Sequence, residues 1–141
     1  MDARRSELVI SPGGTLGIVE LVDVCRAMYE RNDALFRESG AWVTDEADPA
    51  LQRWFAVGSH RHAWHAELWQ DRLPQIPLDV GAPDAPPSTG GVDGYRAELN
   101  RLLADLDALE SRIDPDLDPS TARVITLVRA DLLDLLDRAP D

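Results

Sequence analysis

The stretch DPALQRWFAVGSHRHAWHAELWQDRLP, residues 48 to 74, contains all three histidines of the chain and three of its four tryptophans. Asp48 followed by Pro49 is typical of a helix start, because aspartate caps the free N–H groups of the first turn and proline fits its first position. Apolar residues then recur at steps of three and four, which predicts a helix over 49–73 that Pro74 ends. Its inward stripe comprises Leu51, Trp54, Phe55, Gly58, His62, His65, Leu68, Trp69 and Leu73.

The same helical spacing appears in three further segments, at about 16–37, 93–113 and 119–138. Ser39-Gly40 indicates the end of the first, and Asp118-Pro119 repeats the cap-and-proline signal at the start of the last. Alternating strand patterns are nearly absent. Four amphipathic helices of similar length predict an all-α protein, a four-helix bundle that forms a single domain over residues 1–141.

The connection between the second and third helices, residues 74–92, has no helical period. Its sequence, PQIPLDVGAPDAPPSTGG over 74–91, is rich in proline and glycine. It is either a surface loop or a crossover that carries the chain to the opposite end of the bundle. Extended at about 3.1 Å per residue it would span more than ~50 Å, beyond the ~35 Å length of a helix of this size. The sequence leaves both routes open.

The charge balance narrows the class of partner. Asp and Glu number 26 against 14 basic residues, all of them arginine, and the net charge is −12. That charge disfavours nucleic acid and anionic membranes, which attract positive surfaces, and no run of ~18 apolar residues is present to span a bilayer. The single cysteine fits a reducing compartment, so we expect a cytoplasmic protein. With nucleic acid and membranes disfavoured, we expect the protein to bind a small-molecule ligand or another protein.

Polar side chains on the apolar stripes are the informative residues, because burying them costs free energy unless they are paired. A helical wheel places a set of them inward, namely Cys25, Tyr29 and Asn32 of the first helix, His62 and His65 of the second, Tyr95 of the third and Asp131 of the fourth. Counted from the helix ends, the two histidines, Cys25 and Asp131 lie within about two turns of one another along the bundle axis.

This set predicts a site in the interior of the bundle. His65 with Asp131 forms an oriented acid–base dyad in which the carboxylate fixes the tautomer of a general base, and His62 is the third candidate catalytic residue. Hydrogen-bonding groups and aromatic walls for a ligand are expected from Tyr29, Asn32, Cys25, Trp54, Trp69 and Tyr95. The alternative is that His62 and His65 are core histidines that bond to Asp131, Tyr29 or Asn32.

A metal centre is a further alternative. His62 and His65 are three residues apart on one helix and could both reach an ion, although zinc motifs more often space their histidines by four. Few other inward ligands are available, since only Asp131, Cys25 and the marginal Glu98 accompany them. We therefore expect neither a metal nor a cofactor, and keep a mononuclear metal protein as the third hypothesis.

The plan of the chain resembles a known family. The first helix, the segment HRHAWHAELWQDRLP, a long connection and a second helical hairpin together resemble the ferritin-like four-helix fold, and HAWHAELW is similar to stretches in small ferritin-like proteins of high-GC bacteria. The iron centre of that family takes a Glu-x-x-His pair from each of two helices. The second helix here has no such pair, the fourth has no histidine, and the first offers no inward glutamate. The resemblance therefore implies the fold and none of the iron ligands.

Two functional hypotheses of different classes follow. The first is a bundle without the di-iron site that binds a small molecule in its interior and carries out metal-independent acid–base chemistry. The second is a non-catalytic accessory or interaction module with structural histidines. In that case the partner docks on the acidic surface or on the fourth helix, where DLLDLLD, residues 131–137, places apolar residues nearly all round. A protein partner or a second copy of the chain would bury this wide apolar surface.

Overall fold

A computed structural model describes residues 13–74 and 90–140 of the chain. Within these ranges the protein contains four helices and no strand, so the prediction of an all-α protein is confirmed. The helices are α1 (Ile18–Asp45), α2 (Pro49–Gln70), α3 (Gly91–Glu110) and α4 (Pro119–Asp137). None of them is long and apolar enough to cross a membrane.

The two cap-and-proline signals mark the starts of α2 and α4. Asp48 accepts a hydrogen bond from the backbone N–H of Ala50 at 2.9 Å, and Asp118 accepts one from Thr121 at 3.1 Å. A proline follows each cap directly, so neither helix loses a hydrogen bond at its first position. These starts lie where the sequence predicted them, and the caps are the reason.

The predicted end of the first helix is wrong, because α1 continues through Ser39-Gly40 to Asp45. The Ser39 hydroxyl donates to the carbonyl of Leu35 at 2.6 Å, a bond along the helix. Gly40 instead permits close packing: a side-chain carbon there would lie 3.2 Å from the hydroxyl oxygen of Ser59 on α2. The small residues therefore mark the contact between α1 and α2 and not a helix end.

The course of the helices follows from contacts at their ends. Leu16, just before α1, donates its backbone N–H to Arg112, just after α3, at 3.0 Å, so these two helices are antiparallel. Trp54 near the start of α2 donates to Leu135 near the end of α4, while Arg72 beyond the other end of α2 bonds to Asp118. Consequently α1 and α4 run one way, and α2 and α3 run the other.

The directions of the helices determine where the long connection between α2 and α3 begins and ends. The chain leaves α2 at the end of the protein where α1 begins, and it enters α3 at the opposite end, where the rings of Trp42 and Tyr95 are 5.6 Å apart. The two described ends of the connection are therefore at opposite ends of the helices. The residues between them, 75–89, lie outside the described ranges.

One core, to which all four helices contribute, holds the described part of the protein together. Its largest fully buried side chains are Trp69, Tyr95, Phe55, Met28, Leu35, Leu99, Leu102, Leu106, Leu109, Ile125, Leu132 and Leu135. Gly58 makes room in this core, since a side-chain carbon at that position would collide with the hydroxyl of Tyr95. The aromatic residues that the sequence analysis singled out for ligand binding thus lie in the core, among them Trp54 and Trp69.

Candidate functional site

His62 is the centre of a buried hydrogen-bond network that joins three helices. Its Nε2 is 2.6 Å from the hydroxyl of Tyr95 on α3, and its Nδ1 is 3.4 Å from Oδ1 of Asn32 on α1. Asn32 donates its amide N–H to the carbonyl of Met28 at 2.8 Å, which turns its own oxygen toward the histidine. The network therefore has a direction: Nδ1–H of His62 donates to Asn32, and Nε2 accepts from Tyr95.

Burial keeps this network uncharged. The side chain of His62 is 0% exposed, and burial, reinforced by the charges of His65 and Arg61, lowers its pKa from 6.5 to about 3. Burial also raises the pKa of Tyr95 above its usual value. Both groups are neutral at pH 7 and the network uses both ring nitrogens of His62, so neither nitrogen is left for a substrate in this arrangement.

His65 forms the predicted pair with Asp131. Its Nε2 lies 2.8 Å from Oδ2 of Asp131 across the contact between α2 and α4. The imidazole is completely buried, whereas the Asp131 side chain is 30% exposed. Burial lowers the pKa of His65, and this outweighs the hydrogen bond to Asp131, which acts in the opposite direction. The neutral imidazole therefore donates Nε2–H to the carboxylate.

The other nitrogen of His65 is the unusual feature of the site. Nδ1 is buried and has no hydrogen-bond partner among residues 13–74 and 90–140. With the proton on Nε2, Nδ1 carries the free lone pair that a general base needs. An unpaired buried acceptor costs free energy, so this atom is the place in the pair where a hydrogen-bond donor would be stabilised.

Arg61 holds the part of α4 that carries Asp131. Its Nη1 donates to the backbone carbonyl of Asp131 at 3.1 Å, and its Nη2 is 2.8 Å from Oδ2 of Asp134. Arg138 donates to the same Asp134 oxygen at 2.7 Å. The hydrogen bond from Arg61 is the main reason why the pKa of Asp134 lies below its usual value. These bonds of Arg61, Asp134 and Arg138 form a polar seam between α2 and α4. The polar seam orients the pair of His65 and Asp131.

The remaining predicted ligand-binding residues do not join the two histidine networks. Trp54 donates to Leu135 and packs on Tyr95 with ring centroids 5.1 Å apart. Trp69 is buried, and its indole N–H has no partner among the residues that the structure describes. Burial raises the pKa of the Cys25 thiol to about 11. Tyr29 is half-buried. Of the set, the structure brings Asn32 and Tyr95 to His62 and Asp131 to His65.

The charged groups near Cys25 show at which end of the core its thiol lies. The nearby charged groups that act on its pKa are those of Arg72 and Asp118, which pair at 3.4 Å at the start of α4. These residues are at the end of α2, away from Tyr95 at the other end of the core. In this environment the thiol is protonated at pH 7, so it is a poor nucleophile.

A buried ion cluster between α1 and α3 was not predicted from the sequence, although Glu98 was counted there as a marginal inward residue. Arg31 is 3% exposed, and its Nη1 lies 2.5 Å from Oδ2 of Asp105. Its Nη2 is 3.6 Å from Oε2 of Glu98, which is 1% exposed and also accepts from Arg101 at 2.8 Å. Spacing could have revealed this cluster, because Arg31 lies between the core residues Met28 and Leu35 at steps of three and four. Glu98 has the same relation to Tyr95 and Leu102.

No group of three or more His, Cys, Asp or Glu side chains in 13–74 and 90–140 is placed to hold a metal ion. Comparison of the chain with protein-family models, with curated proteins and with solved structures found no match. The class of protein that the described residues define is therefore an all-α protein of four helices with two buried histidine networks.

Proposed function

We propose that this protein is a ferritin-like helical bundle without di-iron ligands that binds a small molecule beside His65. The observation that supports the proposal is the buried Nδ1 of His65, which has no partner in the described part of the chain while Nε2 is bonded to Asp131. A ligand that offers an O–H or N–H group to Nδ1 completes the hydrogen bonding of the imidazole. Such a ligand gains a buried bond of the kind that is costly to leave unmade.

The course of the helices supports the ferritin-like arrangement. Ferritin-like bundles contain one long crossover between two helical hairpins. Here α1 and α4 run one way and α2 and α3 the other, and the described ends of the connection lie at opposite ends of the protein. The directions of the helices thus support the proposed fold, and the buried Nδ1 of His65 supports the proposed function.

The chemistry that suits the pair is metal-independent proton transfer. His65 takes a proton from the bound molecule at Nδ1, and the Asp131 carboxylate stabilises the imidazolium that forms. The same proton then returns to the product, so the residue ends each cycle neutral. Since His65 is fully buried and Asp131 is partly exposed, the ligand enters along the seam between α2 and α4.

The test combines histidine NMR with a screen of small donor molecules. In the free protein we expect the long-range ¹H–¹⁵N spectrum to show His65 protonated at Nε2 only, and a bound donor to move the Nδ1 resonance. Ligands found in this way should lose binding in His65→Gln and retain it in His60→Gln, the matched change at an exposed histidine of the same helix. Equal binding by a folded His65→Gln variant would contradict the proposal.

A second candidate function, protein interaction, is favoured by the surface of α4. Leu133 is 52% exposed there, within the segment predicted to bury a partner. If this face joins two copies of the chain, Leu133→Glu should shift the sedimentation coefficient from that of a dimer to that of a monomer. The matched change at Leu117, which is 78% exposed before α4, should have no effect. A wild-type monomer at all concentrations would exclude the homodimer.

A further inference from the structure

A cavity of about 240 Å³ opens between the start of α2 and the end of α4. It is lined by Ala50, Arg53, Trp54, Val57 and Arg138. The α2 residues among them recur at steps of three and four, so they form one stripe that faces the cavity. Neither His62 nor His65 lines it. The cavity is therefore separate from the proposed site at His65.

The lining combines an apolar wall with two arginines. Trp54, Val57 and Ala50 provide the apolar surface, and the indole is held in place because its Nε1–H donates to the carbonyl of Leu135 at 2.8 Å. Arg53 and Arg138 bring guanidinium groups to the same space. A small pocket with a rigid aromatic wall and a few charged groups is typical of a small-molecule site.

The arginines at this cavity are not fully neutralised. Arg53 forms no ion pair or hydrogen bond through its side chain in the part of the chain that the structure describes. Arg138 shares Asp134 with Arg61 and is 63% exposed, so a single carboxylate serves two guanidinium groups. Arg96 adds a third positive charge, with its Cζ 5.9 Å from the centre of the Trp54 ring.

The positive charge of the arginines at the cavity is opposite in sign to the net charge of the whole chain. The protein carries a net charge of −12, so most of its surface repels anions. At Arg53, no carboxylate within 13–74 and 90–140 accompanies the guanidinium group beside the aromatic wall, so this group is free to bind an anion. Guanidinium groups bind carboxylates through pairs of parallel hydrogen bonds, and an aromatic ring packs against a planar apolar body.

We propose that this cavity is a binding site for a small organic anion with a planar apolar body and one carboxylate. The body packs against Trp54 and Val57, and the carboxylate binds Arg53 and Arg138. The site goes beyond the proposed function at His65, because its ligand needs a negative charge and does not have to donate a hydrogen bond. Arg53 and Val57 take no part in the contacts of His65 and Asp131, so Arg53→Ala and Val57→Trp test the cavity without altering the proposed site at His65, and the two proposals fail separately.

The test titrates the protein with 2-naphthoate and with its neutral analogue 2-naphthamide, followed by the NMR signal of the Trp54 indole N–H. We expect naphthoate to bind at least about tenfold more tightly than the amide, since a charge-assisted pair is lost in the amide. Arg53→Ala and Arg138→Gln should each weaken naphthoate binding by about tenfold. Arg123→Ala, the same change at an exposed arginine in the first half of α4, should leave it unchanged.

A second variant tests the cavity without altering charge. Val57→Trp fills the space beside Trp54 and should abolish naphthoate binding, while the signals of residues away from the cavity keep their positions. Equal affinity for the acid and the amide would overturn the proposal. So would unchanged binding in Arg53→Ala or Val57→Trp, or no shift of the Trp54 signal at millimolar naphthoate.

Discussion

At the scale of single residues, His62 and His65 show how burial decides the charge of a histidine. Both imidazoles are 0% exposed, and each is lowered in pKa mainly by burial. They differ in how their nitrogens are used. Within the described residues, His62 bonds to Tyr95 and Asn32 through its two ring nitrogens, whereas His65 bonds to Asp131 through Nε2 alone. The two residues on one helix stripe therefore have different capacities for chemistry.

The lowered pKa of His62 predicts acid-sensitive stability. Its pKa is about 3 in the folded protein against 6.5 in the unfolded chain, so between these values only the unfolded state takes up the proton. Stability should therefore fall as the pH drops below 6.5, by up to about 1.4 kcal/mol per pH unit for this group. Urea unfolding at pH 7 and pH 5 should show a smaller loss for His62→Gln than for the wild type.

The control for this measurement is His60→Gln, at an exposed position two residues earlier in α2. It should keep the pH dependence of the wild type. His65 contributes in the same direction as His62, because its pKa is also lowered, so some acid sensitivity remains in His62→Gln. The same change in stability between pH 7 and pH 5 in His62→Gln and the wild type would contradict the assignment.

At the scale of elements, one glycine of α2 makes room for the Tyr95 side chain that reaches it from α3. A glycine inside a helix normally costs about 0.5–1 kcal/mol relative to alanine, so its replacement usually stabilises. At Gly58 the opposite should hold, because the added carbon collides with the Tyr95 hydroxyl. We expect Gly58→Ala to destabilise the protein by about 1–3 kcal/mol, measured by urea unfolding.

A double-mutant cycle isolates the cause of that loss. Tyr95→Phe removes the hydroxyl, and with it the bond to His62, so it is destabilising alone. In the Tyr95→Phe background, however, Gly58→Ala should cost much less than in the wild type. A stabilising effect of Gly58→Ala in the wild type would show that Gly58 does not serve the contact between α2 and α3.

At the scale of the whole molecule, the cluster of Arg31, Glu98 and Asp105 joins the first helical hairpin to the second. Arg31→Met removes the partner of Asp105 and leaves the buried Glu98 with only the partly exposed Arg101, so it should destabilise by about 3–5 kcal/mol. Replacing Glu98 as well, in Arg31→Met with Glu98→Leu, should recover part of this loss, because the remaining carboxylate, Asp105, is 19% exposed and can be solvated. The free energy of unfolding in urea is the measurement.

Arg101 provides the matched control for the ion cluster. It also pairs with Glu98, but its side chain is 45% exposed, so Arg101→Met should cost less than about 1 kcal/mol. If the double variant is as unstable as Arg31→Met alone, the loss comes from packing of the arginine stem or from Asp105 and not from the buried Glu98. The pair of Arg31 and Glu98 would then have no electrostatic role in joining the hairpins.

The sequence by itself determined the helical class and two of the helix starts, because these depend on local chemistry. Periodic apolar spacing needs only neighbours three and four residues away, and the caps at Asp48 and Asp118 act within one turn. Helical phase also predicted the pair of His65 and Asp131, since each lies on the inward stripe of its own helix. For the same reason Asn32 and Tyr95 were expected inside the protein.

Only the tertiary structure decided what depends on contacts between helices. Ser39-Gly40 has the composition of a helix end, yet Ser59 of α2 packs against Gly40 and the helix continues. Arg31 and Glu98 share the spacing of the core residues around them, but only the contact between α1 and α3 shows that each provides the charge that makes burial of the other tolerable. The free Nδ1 of His65 and the cavity between Arg53 and Arg138 likewise arise from how α2 meets α4, which no local pattern encodes.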